Sequence, residues 1–255
     1  MRQNYISISS EYKDIRHFIS NIPQMFAEKK GDLIYIGRNE IRTFMYQGKT
    51  LVVKKFKTYN LLKQIIYTFF RRDKAERAFY NAHELRNRGF YTPHEIGYII
   101  VHGTIGMAKQ TYYICEFDQG KAIAEILNNP NFDKQMTIEF AKYVASLHKA
   151  GIIHHDLNST NILYHETNGN KTFSLIDINR MEFVTPGKLK NKKCMKNLTL
   201  FCESGEMFTL FLHEYIHCRG WNSEYYNKAM NIKARHDISY EKRKKLKRKI
   251  SSLFH

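Results

Sequence analysis

The stretch His154-His155-Asp156-Leu157-Asn158-Ser159-Thr160-Asn161-Ile162-Leu163, followed by Ser174-Leu175-Ile176-Asp177, decides how this chain is read. Phosphoryl transfer needs a carboxylate beside the attacking hydroxyl, and a second carboxylate plus an amide oxygen to hold Mg²⁺ on the phosphates. Asp156, Asn161 and Asp177 supply those three groups, at the spacing H-x-D-L-x-x-x-N with a metal aspartate downstream. The apolar runs Gly151-Ile152-Ile153 and Ile162-Leu163-Tyr164 anchor the loop on both sides. Residues 173–176 read as a short buried strand that delivers Asp177.

Outward from that loop, the order of elements is informative. Residues 9–29 have helical texture, with Pro23 expected to break or bend the run. Residues 33–36, 41–46 and 50–56 alternate like strands and are separated by Gly37-Arg38-Asn39 and Gln47-Gly48-Lys49, an antiparallel meander. One helix is expected over residues 60–88, stopping at Gly89, then strands over 95–102 and 111–116. After Gly120 the chain reads as mostly helical, with Phe140, Val144 and Leu147 on one face of a helix that ends at Gly151. The expectation is an α+β, two-lobe kinase-like fold. Residues 1–118 form a β-rich N-lobe with one main helix that clamps the nucleotide phosphates. Residues 119–255 form a mostly helical C-lobe with the catalytic loop, metal site and substrate side. The lobes meet near Phe117-Asp118-Gln119-Gly120, with the nucleotide in the cleft.

Such a site needs a cation for the phosphates, from a strand lysine within a V-A-I-K-like run. Val52-Val53-Lys54 fits, and alternation sends Leu51 and Val53 to the core when Lys54 faces the site. The turn at Gly37 and Arg38 can offer backbone N–H groups and a guanidinium to phosphate, although it has one glycine where G-x-G-x-x-G has three; an ordinary hairpin turn reads equally well. Glu76 and Glu84 both lie on the helix that would hold the lysine, and Glu76 is better placed. Glu116 and Phe117 end a strand at the lobe junction, where backbone groups would pair with adenine.

Three segments together resemble the lipopolysaccharide core kinases of the Kdo/WaaP type: Gly37-Arg38-Asn39 with Val53-Lys54; Lys74-Ala75-Glu76-Arg77 leading to Gly89-Phe90-Tyr91-Thr92-Pro93; and His154-His155-Asp156 with Asp177-Ile178-Asn179-Arg180. The resemblance covers roughly residues 31–185, and D-x-x-R in place of D-F-G is its most specific mark. It implies a protein-kinase-like fold and transfer of the γ-phosphate of ATP to a hydroxyl of an inner-core sugar, Kdo or heptose. Carried over, Asp156 is the catalytic base or hydroxyl orienter, Asn161 and Asp177 hold Mg²⁺, Lys54 holds the α/β-phosphates, and Arg180 braces the loop or meets phosphate. His154 supports the loop backbone. The chain departs from protein kinases at His155, which replaces an arginine and argues against control by activation-loop phosphorylation.

Composition sets the partners. The 255 residues, 43% hydrophobic, suffice for one sizeable core or a small lobe on a larger one. The longest apolar run, near residues 65–70, is far too short to span a bilayer. The N-terminus lacks an apolar signal core, which points to the cytosol. Cys115, Cys194, Cys202 and Cys218 show no C-x-x-C pairing and are expected reduced. A net charge of +17 attracts polyanions. No zinc-finger, helix-turn-helix or aromatic-basic RNA signature supports nucleic acid. Basic stretches fill 188–196 and 242–249, and Leu246, Ile250, Leu253 and Phe254 recur at helical spacing in the second. That segment suits an anionic membrane surface, on the inner face of the cytoplasmic membrane, or else packs its stripe on its own protein.

Two rival readings belong to other chemistry. A small protein kinase on the same fold would keep the site and change the acceptor. His213-Glu214-Tyr215-Ile216-His217 is a literal H-E-x-x-H, which on a helix could bind Zn²⁺ with Glu214 as base, as in a metalloprotease. No third histidine follows at metzincin spacing, since that position is Ser223. The alternative is an amphipathic helix burying Phe208, Phe211, Leu212 and Ile216.

Overall fold

The computed structural model describes residues 4–103, 106–127, 131–201 and 205–252. The strands are β1 (Tyr5–Ile8), β2 (Asp32–Ile36), β3 (Glu40–Tyr46), β4 (Lys49–Lys55), β5 (Glu95–His102), β6 (Ala108–Glu116), β7 (Lys121–Ala122), β8 (Ile152–His154), β9 (Ile162–Thr167), β10 (Asn170–Leu175) and β11 (Met181–Phe183). The helices are α1 (Arg16–Ala27), α2 (Leu61–Phe69), α3 (Lys74–Asn87), α4 (Ala124–Leu127), α5 (Lys134–Lys149), α6 (Asn191–Leu198), α7 (Glu206–Arg219) and α8 (Glu224–Ser252). They fall into two compact units. One comprises the chain up to Gln119 together with Leu175–Arg180, and the other Gly120–Ser174 with the residues from 181 on.

The first unit is built on a six-stranded sheet in the order β1-β5-β6-β4-β3-β2, antiparallel at each junction. Period-2 alternation sorts β4 cleanly: Leu51 and Val53 point into a core formed with Ile19, Ile22 and Phe26 of α1, and Ile96, Ile99 and Ile114 of the sheet. Lys54 therefore faces the other side. The helix α1 runs through Pro23 without a break. Burial of Ile19, Ile22 and Phe26 on both sides of the proline holds the helix where one backbone hydrogen bond is lost. Arg42, nearly buried, donates through Nη1 to the carbonyls of Lys29 and Gly31, at 2.8 and 3.0 Å, satisfying acceptors just past the end of α1.

The single main helix expected over residues 60–88 is two, so among the described residues α2 and α3 stand where one was expected. The reason is local. Asn60 caps α2 by accepting from Lys63 N, and Asp73 starts a new helix by accepting from Ala75 N at 2.6 Å. Asp73 is buried and its second oxygen accepts the Tyr59 hydroxyl at 2.5 Å. The edge strand β1, which pairs with β5, was not visible in the alternation pattern because it is only four residues long.

In the second unit α5 packs on α7 through Phe140, Phe201 and Phe211, with Phe173 of β10 against Phe140. Short strands interrupt the expected helical run: β7, β9 and β10 form one sheet and β8 pairs with β11. Between β9 and β10 lie Asn168 and Gly169, both left-handed, a two-residue turn whose twist matches a hairpin. Gly151, with φ +77°, ends the α5 connection; a Cβ there would lie 2.3 Å from the Val184 carbonyl oxygen, so no other residue fits. The helix α8 buries Ala229 and Lys233, whereas its described residues from Ile238 on are exposed, Leu246 among them. Packing of that stripe on its own protein is thus excluded for Leu246; the Ile250 side chain, Leu253 and Phe254 lie outside the described residues.

Asp73→Ala is expected to lower the unfolding free energy by about 2–3 kcal/mol, because it removes a helix cap and strands a buried hydroxyl. Tyr59→Phe should cost about 1 kcal/mol, and the double variant less than the sum, in urea unfolding at neutral pH.

Candidate functional site

In the first unit the strand alternation that buries Val53 leaves Lys54 on the opposite face. There its Nζ lies 2.5 Å from Asp177 Oδ1, with both side chains largely shielded from water. Asp177 has φ +55°, a left-handed backbone that costs any non-glycine residue, though aspartate less than most. Neighbours hold it there. Asn179 Nδ2 donates to the same Oδ1 at 2.6 Å. The Leu175 carbonyl accepts from Thr92 Oγ1, its N–H donates to the Tyr91 carbonyl, and Asn81 of α3 donates to the Ile178 carbonyl at 2.7 Å. The Lys54 ammonium also stands over the Phe56 ring, 5.3 Å from its centroid. A lysine and a carboxylate so placed neutralise each other, and each becomes available when a phosphate or a cation competes for its partner.

Glu76, the expected partner of Lys54, is used elsewhere. It follows Asp73 by three residues and accepts from the Asp73 backbone N–H, completing a capping box at the start of α3. Burial raises its pKa, and its ion pair is with Arg72 at 3.6 Å. Glu84, the other candidate, pairs with Arg88. Gly37 and Arg38 sit in the β2–β3 turn, where Gly37 N donates to Asn39 O. Burial, and then the charges of Arg38 and Lys63, depress the pKa of Lys74, whose ammonium also stands over Phe56 at 5.8 Å. Lys54 and Lys74 thus flank one ring. Of the Lys74-Ala75-Glu76-Arg77 segment it is the lysine, not the glutamate, that stands at this ring.

The expectation for Glu116 and Phe117 is corrected in part. Their backbone N–H groups are spent inside the sheet, on the carbonyls of His94 and Thr50, both at 2.9 Å, so neither can donate to a purine. The Glu116 carboxylate accepts from Tyr12 and Lys49; burial works against its charge, but these donors prevail and its pKa falls. Arg180 ends the short 3₁₀ turn Ile178–Arg180 and is exposed.

In the second unit, the loop from His154 to Asn161 is tied by its own side chains. His154, buried, accepts the Asp156 N–H on Nδ1 at 3.1 Å, which keeps that nitrogen unprotonated. Asn158 Oδ1 accepts from Thr160 N, Asn161 N and the Thr160 hydroxyl. Asn161 Nδ2 donates to the Asp156 carbonyl at 2.9 Å, which orients the amide and leaves its Oδ1, a hard oxygen donor, for a cation. His155 is half exposed and lies 3.0 Å from Glu182, which also binds Lys193. Beneath the loop runs a buried chain that sequence reasoning missed: Asn197 Nδ2 donates to the His154 carbonyl at 2.8 Å, its Oδ1 meets His148 Nε2 at 3.0 Å, and His148 Nδ1 meets the Tyr215 hydroxyl at 2.7 Å. Burial pushes the His148 pKa down to about 4. A histidine at a position that also fits the apolar face of α5 was the one available signal.

The H-E-x-x-H segment is part of α7. His213 stacks on Tyr226 at 4.5 Å, while Phe208, Phe211, Leu212, Tyr215 and Ile216 are buried. Among the described residues the group able to close on a metal is Glu214, His217 and Cys218, which omits His213. Cys115, Cys194 and Cys218 are free thiols; Cys202 lies outside the described residues.

The model of the lipopolysaccharide kinase (Kdo/WaaP) family matches residues 35–209. Among solved structures, WaaP in complex with acyl carrier protein is similar at 15% identity and a TM-score of 0.54, covering 91% of this chain and 99% of that one. A Rio2 kinase complex with ADP, Mg²⁺ and phosphoaspartate from Chaetomium thermophilum has 14% identity and a TM-score of 0.47, covering 92% and 82%. No curated protein sequence matches the chain.

Because the neutral ring is the one that folds, His148 sets a pH limit. Between about pH 6.5 and 4 the unfolded chain binds a proton that the folded chain refuses. Stability is therefore full above about 6.5 and falls as pH drops towards 4, by up to about 3 kcal/mol. Urea unfolding at pH 7 and 5 should show this loss, and His148→Gln should flatten it.

Proposed function

The chain belongs to the lipopolysaccharide kinase (Kdo/WaaP) family, and from that premise we propose that it transfers the γ-phosphoryl group of ATP to a hydroxyl of a Kdo or heptose residue in the inner core. It is a kinase, a phosphotransferase with an alcohol acceptor, on a protein-kinase-like fold. The observation that carries the proposal is the pairing of Lys54 with Asp177 on a strained aspartate, because kinase chemistry requires that lysine and that carboxylate in one phosphate clamp.

The division of labour follows the chain. Residues 1–118 would clamp the nucleotide: Lys54 would hold the α/β-phosphates, with Arg38 and the Gly37 turn as further phosphate contacts. Residues 119–255 would carry the catalytic loop and the acceptor. Asn161 and Asp177 offer the amide oxygen and carboxylate that suit Mg²⁺, which would neutralise charge on the phosphates. Asp156 would accept the proton of the sugar hydroxyl as its oxygen bonds to the γ-phosphorus and the bond to the β-phosphate oxygen breaks, leaving ADP. The His148–Asn197–His154 chain would hold Asp156 in place, and Arg180 would brace the segment after Asp177. The acceptor is a glycolipid, so the reaction would occur at the inner face of the cytoplasmic membrane. Among the described residues no helix is long and apolar enough to cross a membrane.

The test is transfer from labelled ATP, with Mg²⁺, to lipid A bearing inner-core sugars. Asp156→Asn should lower kcat by about 10²–10⁴ while ATP still binds. Asp177→Asn should abolish Mg²⁺-dependent nucleotide binding. ATP binding without transfer to any inner-core acceptor would move the reading to a small protein kinase on the same fold.

A further inference from the structure

The helix α2 is amphipathic with its faces inverted. Its polar side is the one that touches the protein. Tyr67 packs at a tilt against Tyr59, ring centroids 4.6 Å apart, Gln64 Nε2 donates to the Tyr59 carbonyl, and the Thr68 hydroxyl accepts from Ala108 N at 2.9 Å. Its apolar side faces water. Leu61, Leu62, Ile65, Ile66, Phe69 and the following Phe70 are all exposed, Phe70 to 81%, and no residue of the helix is buried. At i, i+1, i+4, i+5 and i+8 these side chains make one continuous ridge. A ridge of that kind is unstable in water without a partner.

The surrounding charge selects the partner. Residues 57–72 contain Lys57, Lys63, Arg71 and Arg72 and no aspartate or glutamate. A second copy of the chain would set those cations against their like, in a protein already at +17. Nine residues cannot cross a bilayer, which needs about twenty. A short helix with leucine and phenylalanine on one face and lysine or arginine at both ends lies in the headgroup region, apolar side chains down and cations at the phosphates. We infer that α2 docks the enzyme on an anionic bilayer. The inference draws its purpose from the membrane-borne acceptor proposed above, and its support from α2 alone. It also assigns α8 a lesser part: Lys242, Lys244 and Lys245 are exposed there, but the apolar exposure among its described residues from 238 on is scattered over Ile238, Tyr240 and Leu246.

The experiment is cosedimentation of the full chain with vesicles of phosphatidylglycerol and phosphatidylethanolamine, with phosphatidylcholine vesicles as the uncharged control. Binding to the anionic vesicles should fall at least tenfold in the triple variant L62S/F69S/F70S and at least tenfold in K57E/R71E, and less in K242E/K244E. Because these positions are exposed, circular dichroism should show an unchanged fold. Independently, F69W in a W221F background should give emission that shifts to the blue and is quenched by brominated lipid. Failure of the wild-type chain to bind, wild-type binding by the triple variant, or unquenched emission overturns the inference, as does binding that requires an acidic protein and not lipid. The triple variant should also lose turnover on vesicle-borne acceptor and keep it on the deacylated core oligosaccharide. If the wild-type chain phosphorylates neither, the acceptor reading fails, while the vesicle result still decides α2.

Discussion

A carboxylate partly withdrawn from water in left-handed backbone is costly on two counts, conformation and desolvation, and Asp177 carries both. The first unit is arranged around meeting that cost. Lys54 supplies the counter-charge, Asn179 a second donor to the same oxygen, and Thr92, Tyr91 and Asn81 fix the backbone on either side. Each of these depends on something further out. Lys54 faces Asp177 because Leu51 and Val53 are committed to the core against α1. Asn81 reaches Ile178 because α3 is held on the sheet by Arg86, which donates to the buried Glu95 of β5. Strain of this kind persists only where the surroundings over-determine it, and here they do.

The loop from His154 to Asn161 in the second unit is held by a different device. Its N-terminal strand, β8, is pinned to β11, and its backbone hangs from a buried polar chain that ends at Tyr215 of α7. Every link of that chain is satisfied, which is the condition under which buried polar groups rigidify a structure instead of weakening it. The neutral state of His148 follows from burial, which disfavours the charged imidazolium even though Asn197 Oδ1 and the Tyr215 hydroxyl stand at its two nitrogens.

Much of this was legible in the sequence, for physical reasons that also explain where reading failed. Short-range patterns carried over well. The alternation that turns Lys54 away from the core and the meander of β2, β3 and β4 both follow from periods of a few residues. The break between α2 and α3 was missed because Asp73 looks like an ordinary helical aspartate until its capping role is seen, and the same capping box removes Glu76 from the position expected of it. Partners far apart in sequence and joined by no motif could not be read. Nothing about Asn197 or Tyr215 in isolation points to His148.

Inverted amphipathicity at α2 shows how a pattern can be correct and its usual interpretation wrong. The apolar run near residues 65–70 is a strong helical signal, and the ordinary inference is that its stripe faces the core. In this protein the core is already filled by α1 on one face of the sheet, and the helix is fastened instead through Tyr67, Gln64 and Thr68. Those contacts are few and polar, and they leave six exposed leucine, isoleucine and phenylalanine side chains in one ridge between cations. Solubility alone favours replacing them. A second apolar medium on that face would give them a physical role, and for a chain of a lipopolysaccharide kinase family the bilayer is the medium within reach.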